Sequence, residues 1–321
     1  MPGDMSYTTE EISKLLKISK LTVYDLIKKG ELSSYRVGKQ MRVDAADLEA
    51  YKQRARTKTN ANRPDGANQP LRSLPSASIN AIRPIVITGH DIGLDILAKH
   101  MEKHIAGIRP LRSFVGSLDS LISMYRGESD IVSTHLLDGD TGEYNLPYIR
   151  RLLVGSSYIV VNLLSRNAGL YVEQGNPLQL EHWTDLSRQG LRFVNREKGS
   201  GARVLLDEQL RLHGINPGQL DGYDNEQTNH LGVASKVASG EADVGVGIEK
   251  AASIVGQLDF IPLIRERYDL VMLKSTENQA WIHSVLQILQ SMEFKQELQT
   301  ISGYDLSRTG EILLETLEPS F

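Results

Sequence analysis

Four times between residues 82 and 247 the sequence repeats one plan: an apolar run of strand length, a turn of small or polar residues, then a helical period. IRPIVITGHDIGLDILAKHM opens with a predicted strand, Pro84–Thr88, turns at Gly89 and enters a helix around Asp91. RPLRSFVGSLDSLISMYRGESDIVSTHLL turns at Gly116-Ser117, takes a helix from Leu118 and returns as a strand over Asp130–Ser133. LRFVNREKGSGARVLLDEQLRLHGI places the loop Arg196–Gly201 before a helix containing Arg203. GYDNEQTNHLGVASKVASGEADVGVG turns near Thr228–His230. Units of this kind build doubly wound α/β sheets, and ligands bind where the loops leave the strand ends. Each loop delivers a helix start, whose unpaired N–H groups and dipole favour an anion. The expected occupant is an oxyanion or a compact polar molecule. No loop has the G-x-x-x-x-G-K-[ST] spacing of a nucleotide P-loop.

The 321 residues exceed what this region needs, which favours more than one domain. Residues 57–78, TKTNANRPDGANQPLRSLPSAS, are polar, contain proline and lack apolar periodicity, so they read as a flexible linker. They separate a head, 1–56, from a body, 79–321. Residues 1–60 have a charge balance of +4 and the remainder −8, so only the head is suited to a polyanion. There are no cysteines, which excludes disulfides, thiolate metal sites and cysteine nucleophiles. No apolar run has the roughly 18 residues of a membrane span, and the N-terminus lacks a secretory layout. The expected location is the cytoplasm, with no membrane partner.

In the head, Thr8 and Glu11 form a capping box that starts a helix with Ile12, Leu15 and Leu16 on one face. A second helix, LTVYDLIKKG, buries Val23, Leu26 and Ile27 and stops at Gly30, with Ser19 as its candidate N-cap. Two short helices so joined form a helix-turn-helix. Tyr35–Val37 and Met41–Val43 read as a strand pair around a Gly38-Lys39 turn, a wing, and Asp44 caps a third helix through Tyr51. Ser19, Lys20, Thr22, Tyr24, Asp25 and Lys28 fall on the outer side of the second helix, where a recognition helix meets base edges. Arg36, Lys39, Gln40 and Arg42 gather on the wing, within reach of phosphates or the minor groove. Asp25 repels phosphate unless it reads a cytosine amine. The competing reading is a protein-binding winged helix with solvated charges.

Over residues 6–53, the V-Y-x-L-I-x-x-G-E-L run and the R-V-G-K-x-x-R wing resemble the excisionase-type, MerR-related winged helix-turn-helix family. In the body, ESDIVSTHLLDGDTGEYNLPYIRRLL, VNREKGSGARVLLDEQL and SGEADVGVGI resemble the periplasmic-binding-protein-like domain of bacterial regulators, similar in plan to the molybdate-binding periplasmic proteins. The implied fold is a winged helix-turn-helix followed by a type II, two-lobed α/β domain that closes on its ligand. Lobe one takes about 79–155 and 266–321, and lobe two about 156–265. The chain is expected to cross near Val154–Tyr158 and return near Pro262–Arg267. The resemblance implies molybdate or tungstate as effector and no cofactor. Mapped by motif, Gly89, His90, Asp91, Ser117, Thr134 and His135 line lobe one; Ser200, Gly201, Arg203, Thr228, Asn229 and His230 face them from lobe two.

Each of these residues also has a plain structural reading. Ser117 and Ser200 suit helix N-caps, Arg203 an i,i+4 pair with Asp207, the histidines buried hydrogen bonds, and Asp138 and Asp140 a turn. Asp91 disfavours a dianion unless it is paired, protonated or capping its own helix. The three histidines with Asp91 are a conceivable divalent-metal set, but no local spacing matches a metal motif, and no metal or catalytic residue is assigned.

The function expected is a ligand-responsive transcription regulator, not an enzyme, acting as a homodimer or higher homo-oligomer on an operator in double-stranded DNA. The alternatives are an enzyme of molybdenum-cofactor or small-molecule metabolism with an autoregulatory head, or an architectural excisionase-like DNA-binding protein. Against an enzyme stands the lack of a G-x-S-x-G elbow or H-E-x-x-H sequence.

Overall fold

The computed structural model describes residues 6–16, 20–28, 32–37, 40–45, 47–48, 51 and 82–316. The chain forms two compact units, Met1–Ala77 and Ser78–Phe321. The expected linker 57–78, Ser19, Gly30, Gly38 and Lys39 lie outside the described residues.

In the first unit, β1 (Ser6–Thr8) leads into α1 (Thr9–Leu16), followed by α2 (Lys20–Lys28), β2 (Tyr35–Val37) and β3 (Gln40–Asp44). The capping box is present: Thr8 N–H donates to Glu11 Oε2 at 2.8 Å, and Glu11 N–H to Thr8 Oγ1 at 3.3 Å. These contacts hold the Glu11 carboxyl below its ordinary range, the backbone bond from Thr8 contributing most. The expected pair forms as β2 and β3, and β1 joins it as a third strand in the order β1-β3-β2. β1 is only three residues long, too short for an alternating pattern, and its place is set by pairing with β3 some 36 residues away. Ile12, Val23, Leu32, Val43 and Leu48 form the core. Leu15, expected on the buried face, is 51% exposed.

The second unit is built on one sheet in the order β5-β4-β6-β11-β7-β10-β8-β9. Its strands are β4 (Arg83–Thr88), β5 (Ile108–Ser113), β6 (Ile131–Thr134), β7 (Tyr158–Glu173), β8 (Phe193–Arg196), β9 (Glu226–Gln227), β10 (Val244–Ile248) and β11 (Leu258–Leu273). The short strands β12 (Tyr304–Asp305) and β13 (Ile312–Glu315) also pair with β7. Its helices are α3 (Gly93–His104), α4 (Ser117–Tyr125), α5 (Leu146–Leu152), α6 (Gly201–Leu212), α7 (His230–Ala238), α8 (Glu249–Val255), α9 (Gln279–Gln290) and α10 (Met292–Gln299). Helices cover both faces, so the middle strands read as continuous apolar runs rather than alternating ones.

Two 16-residue strands, β7 and β11, pair antiparallel along their length and pass through both lobes. Leu163, Leu164 and Tyr268 pack with Ile87, Leu97 and Leu289 in the first lobe. Leu170 and Val172 pack with Leu205 and Val246 in the second. The chain therefore changes lobe near Arg166, about ten residues later than the expected crossing at Val154–Tyr158. The segment Tyr158–Leu164 is buried in the first lobe because β7 continues that lobe's sheet before entering the second.

Candidate functional site

A cavity of about 220 Å³ opens between the lobes. It is lined by the starts of five helices: Gly89–Ile92 before α3, Gly116 and Ser117 at α4, Ser200 and Gly201 at α6, Asn229–Leu231 at α7, and Ile248, Lys250 and Ala251 at α8. The first turn of a helix has no intrahelical acceptors for its N–H groups. Side chains cap some of these amides: Ser200 Oγ accepts from Arg203 N–H at 3.2 Å, and Asn229 Oδ1 from Gly232 N–H at 2.8 Å.

Of the residues expected to meet a ligand, Gly89, His90, Asp91, Ser117, His135, Ser200, Gly201, Asn229 and His230 lie on this cavity. Gly89 has φ +134°, and a Cβ there would collide with Ser133 Oγ, so only glycine fits. Thr134, Arg203 and Thr228 are not on the cavity. Thr134 Oγ1 is buried and donates to Asn145 Oδ1 at 3.2 Å. Arg203 turns back into its own lobe, with Nε on Asp207 at 3.1 Å, Nη1 on Glu226 at 3.0 Å and its guanidinium over the Tyr223 ring. The carbonyl of Thr228 accepts from Arg196 Nη2 at 3.2 Å.

Side chains outside the sequence reading also line the site, among them Arg166, Arg196, Tyr268 and Tyr304. Arg166 is buried where β7 changes lobe. Its Nη1 donates to Asp91 Oδ2 at 2.5 Å and its Nε to Glu266 Oε1 at 2.5 Å, and its guanidinium lies over the Tyr268 ring. The Tyr304 hydroxyl donates to the same Asp91 carboxylate at 2.8 and 2.9 Å, and Gly93 N–H donates to Asp91 Oδ1 at 2.7 Å. Asp91 is thus paired and caps its helix, which removes its objection to an anion. His135 stacks on Tyr268, and its Nδ1 lies 3.1 Å from Glu266 Oε2. Burial alone would raise the Glu266 pKa, but electrostatic attraction and hydrogen bonds from His135 and Arg166 outweigh it and hold the carboxyl at about 2.

Arg196 ends β8. It donates through Nε and Nη2 to Glu197, and to the carbonyls of Gln227 and Thr228. Its Nη1 makes no hydrogen bond among the described residues. Lys250 lines the same cavity and makes no ion pair among them. Two of the histidines here, His90 and His230, are held neutral. Burial, then Arg196, push His90 down to about 4. Burial, then Arg196 and Arg166, depress His230 well below its ordinary value, and its Nδ1 is buried without a partner among the described residues. The inner cavity therefore offers a guanidinium, an ammonium, neutral imidazoles and helix-start amides. Ile92, Leu231 and Ile254 are about half exposed and line the cavity too.

The lobes touch beside the cavity. Leu118 N–H at the start of α4 donates to the Gly199 carbonyl of the second lobe at 3.0 Å. A Cβ on Gly116 would lie 2.7 Å from that same oxygen.

In the first unit, Lys20, Thr22, Tyr24 and Lys28 are exposed on α2, and Arg36 is exposed on β2. Lys20 lies 3.6 Å from Glu10 Oε2, and Tyr24 hydroxyl accepts from Thr9 Oγ1 at 3.4 Å. Arg42 is half-buried and donates to Ser6 Oγ at 3.1 Å, so part of its donor capacity serves the wing itself. Gln40 lies on β3 and Asp25 on α2, while the expected contacts Ser19 and Lys39 lie outside the described residues. No helix among the described residues is long and apolar enough to cross a membrane.

The helix-turn-helix domain family matches residues 6–56, and the PBP superfamily domain matches residues 98–290. Over 311 residues the chain is 50% identical to the Bacillus subtilis (strain 168) uncharacterized protein YvgK, covering 97% of this chain and 98% of that one. Among solved structures, an H2O2-bound cysteine-to-serine mutant of Corynebacterium glutamicum OxyR superposes with a TM-score of 0.51 at 13% identity, over 92% of this chain and 89% of that one. The sulfate-binding protein SubI of Mycobacterium tuberculosis H37Rv gives 0.51 at 14% identity, over 69% of this chain and 86% of that one. These two show the fold alone. With its domain order matched from end to end by a relative at half identity, the chain belongs to the PBP superfamily and carries that domain behind an N-terminal helix-turn-helix domain.

Proposed function

We propose that the protein is a transcription regulator in which a small anion, bound between the lobes of the second unit, alters DNA binding by the first. The observation that carries this reading is the convergence of five helix starts, Arg196 and Lys250 on one cavity, in a chain that also has a helix-turn-helix domain. Such starts favour negative charge, and a cavity between two lobes lets the ligand bias their closure. A ligand changes DNA affinity only as far as it prefers one lobe arrangement. One helix-turn-helix head contacts few base pairs, so a homodimer on a palindromic operator is the expected DNA-bound form. The proposal places the protein in the cytoplasm, where its DNA is, and gives it no catalytic residues.

Molybdate and tungstate, the effectors implied by the family resemblance, suit the helix starts but leave the aliphatic side chains unused. Ile92, Leu231 and Ile254 favour a compact organic anion whose apolar part covers them. A thermal-shift series with molybdate, tungstate, sulfate, phosphate and small organic acids separates the two. The expected result is a rise in Tm with one class, since a ligand at 100 times its Kd stabilises by about 2.7 kcal/mol. Arg196→Met is expected to abolish the rise. A response to every anion that survives Arg196→Met would contradict the proposal.

A further inference from the structure

Away from the cavity, the last two turns of α3 and the first turns of α10 bring His100, His104, Glu293 and Glu297 together. We propose that this cluster binds a divalent transition-metal ion of the zinc type, through His100 Nε2, His104 Nε2 and the Glu293 carboxylate. One ligand atom from each of these three residues lies within 4.8 Å of the other two.

The spacing comes from the helices. His100 and His104 are one turn apart on α3, which puts both rings on one face, and they stack with centroids 5.8 Å apart. Glu293 and Glu297 are likewise one turn apart on α10, so the two helices oppose a pair of imidazoles to a pair of carboxylates. His100 Nε2 lies 2.9 Å from Glu297 Oε2, and His104 Nε2 lies 3.6 Å from Glu293 Oε2. Two ligand atoms on one tetrahedral zinc at about 2.0–2.1 Å stand about 3.3 Å apart. Within the proposed set, the 3.6 Å between His104 Nε2 and Glu293 Oε2 is close to that value, so a small rotation of these two exposed side chains seats the ion.

Two further features favour a cation here. His104 lies in the last turn of α3, the negative pole of its dipole, where a cation is stabilised. His100 is fixed by burial and by an edge contact with Phe294 at 5.4 Å, so its ring is held in place, and its Nε2 exchanges the Glu297 carboxylate for the ion. Lys103 and Lys99 compete for the carboxylates, at 2.8 Å from Glu293 Oε1 and 2.8 Å from Glu297 Oε1. Both are exposed pairs of the weak kind, and each leaves the second carboxylate oxygen to the histidine side. Three protein ligands leave a fourth position to water. Imidazole and carboxylate together select zinc-like ions over calcium or magnesium.

The test is a titration of the full chain, stripped of metal, with ZnCl2 against a chromophoric competitor, with CaCl2 as control. The expected result is one zinc ion per chain that His104→Ala and Glu293→Gln each weaken at least about 10-fold, and no calcium binding. Both positions are half-exposed, so the variants are expected to keep the parent Tm in the absence of metal. Absence of zinc binding, or binding equally tight in both variants, would overturn the proposal. The anion response of the inter-lobe cavity is expected to survive both substitutions, which keeps the two sites separable.

Discussion

Arg166 and Glu266 face each other across β7 and β11 at the point where both strands pass from one lobe to the other, joined by a 2.5 Å charge-assisted hydrogen bond. Each also reaches a cavity loop, Arg166 to Asp91 and Glu266 to His135. The hinge and the floor of the cavity are therefore one ion network, fully desolvated and fully paired.

Removing the arginine leaves two carboxylates buried without their cation. Arg166→Met is expected to lower stability by about 3–5 kcal/mol, measured by chemical denaturation. Adding Glu266→Gln is expected to recover part of that loss, because one stranded charge disappears. A loss below about 1 kcal/mol for Arg166→Met would show that the network carries no weight.

Acid is expected to destabilise the protein in two stretches. His90 takes its proton at about 4 in the fold against 6.5 ordinarily, and His230 is shifted in the same direction. The unfolded chain binds those protons first, so stability falls as the pH drops from 6.5 towards 4, by up to about 1.4 kcal/mol per pH unit for each histidine. Glu266, held at about 2 against 4.5, adds stability that is present above 4.5 and lost as the pH falls towards 2. Denaturation curves of His90→Gln and His230→Gln between pH 7 and 4.5 check the upper stretch; slopes unchanged from the parent would contradict it.

Gly116 has φ −65° and ψ 163°, a conformation open to any residue, so alanine there adds only a methyl group. That methyl meets the Gly199 carbonyl of the other lobe at 2.7 Å. Gly116→Ala is expected to oppose closure and to weaken anion binding at least about 10-fold, with little change in Tm without ligand. Calorimetric titration with the stabilising anion measures the first, and a thermal melt the second.

On the DNA side, Arg36 is exposed and Arg42 is partly engaged with Ser6. Arg36→Ala is expected to weaken binding to all DNA sequences alike and to reduce the slope of log K against log salt by about 1, as loss of one phosphate contact does. Fluorescence anisotropy across a salt series reads both.

The sequence already marked the strand-end loops, because small residues between an apolar run and a helical period are a local pattern, and nine of the expected contacts share one cavity. Arg196 was within reach of that reading, since it stands in the quoted VNREKGSGAR segment, shortly before the Arg203 assigned to the ligand. Arg166, Glu266 and Tyr304 carry a weaker signal. A charge inside LLSRNAGL or IRERYDL says that something pairs with it, but the partners lie far along the chain, up to 213 residues for Tyr304 and Asp91. The lobe boundary was misread for a related reason, since one unbroken strand serves both lobes and no turn marks the crossing. The HMEKH spacing of His100 and His104 was visible, but only the packing of α10 supplies the opposing glutamates.

The central claim is that an anion between the lobes governs the grip of the helix-turn-helix unit on DNA. It is tested most directly by measuring the affinity of the full chain for the DNA upstream of its own gene, at fixed salt, with and without the anion that raises its Tm. The account predicts an affinity change of at least about 5-fold in the parent and none in Arg196→Met. Superimposable binding curves at a saturating concentration of that anion would contradict it.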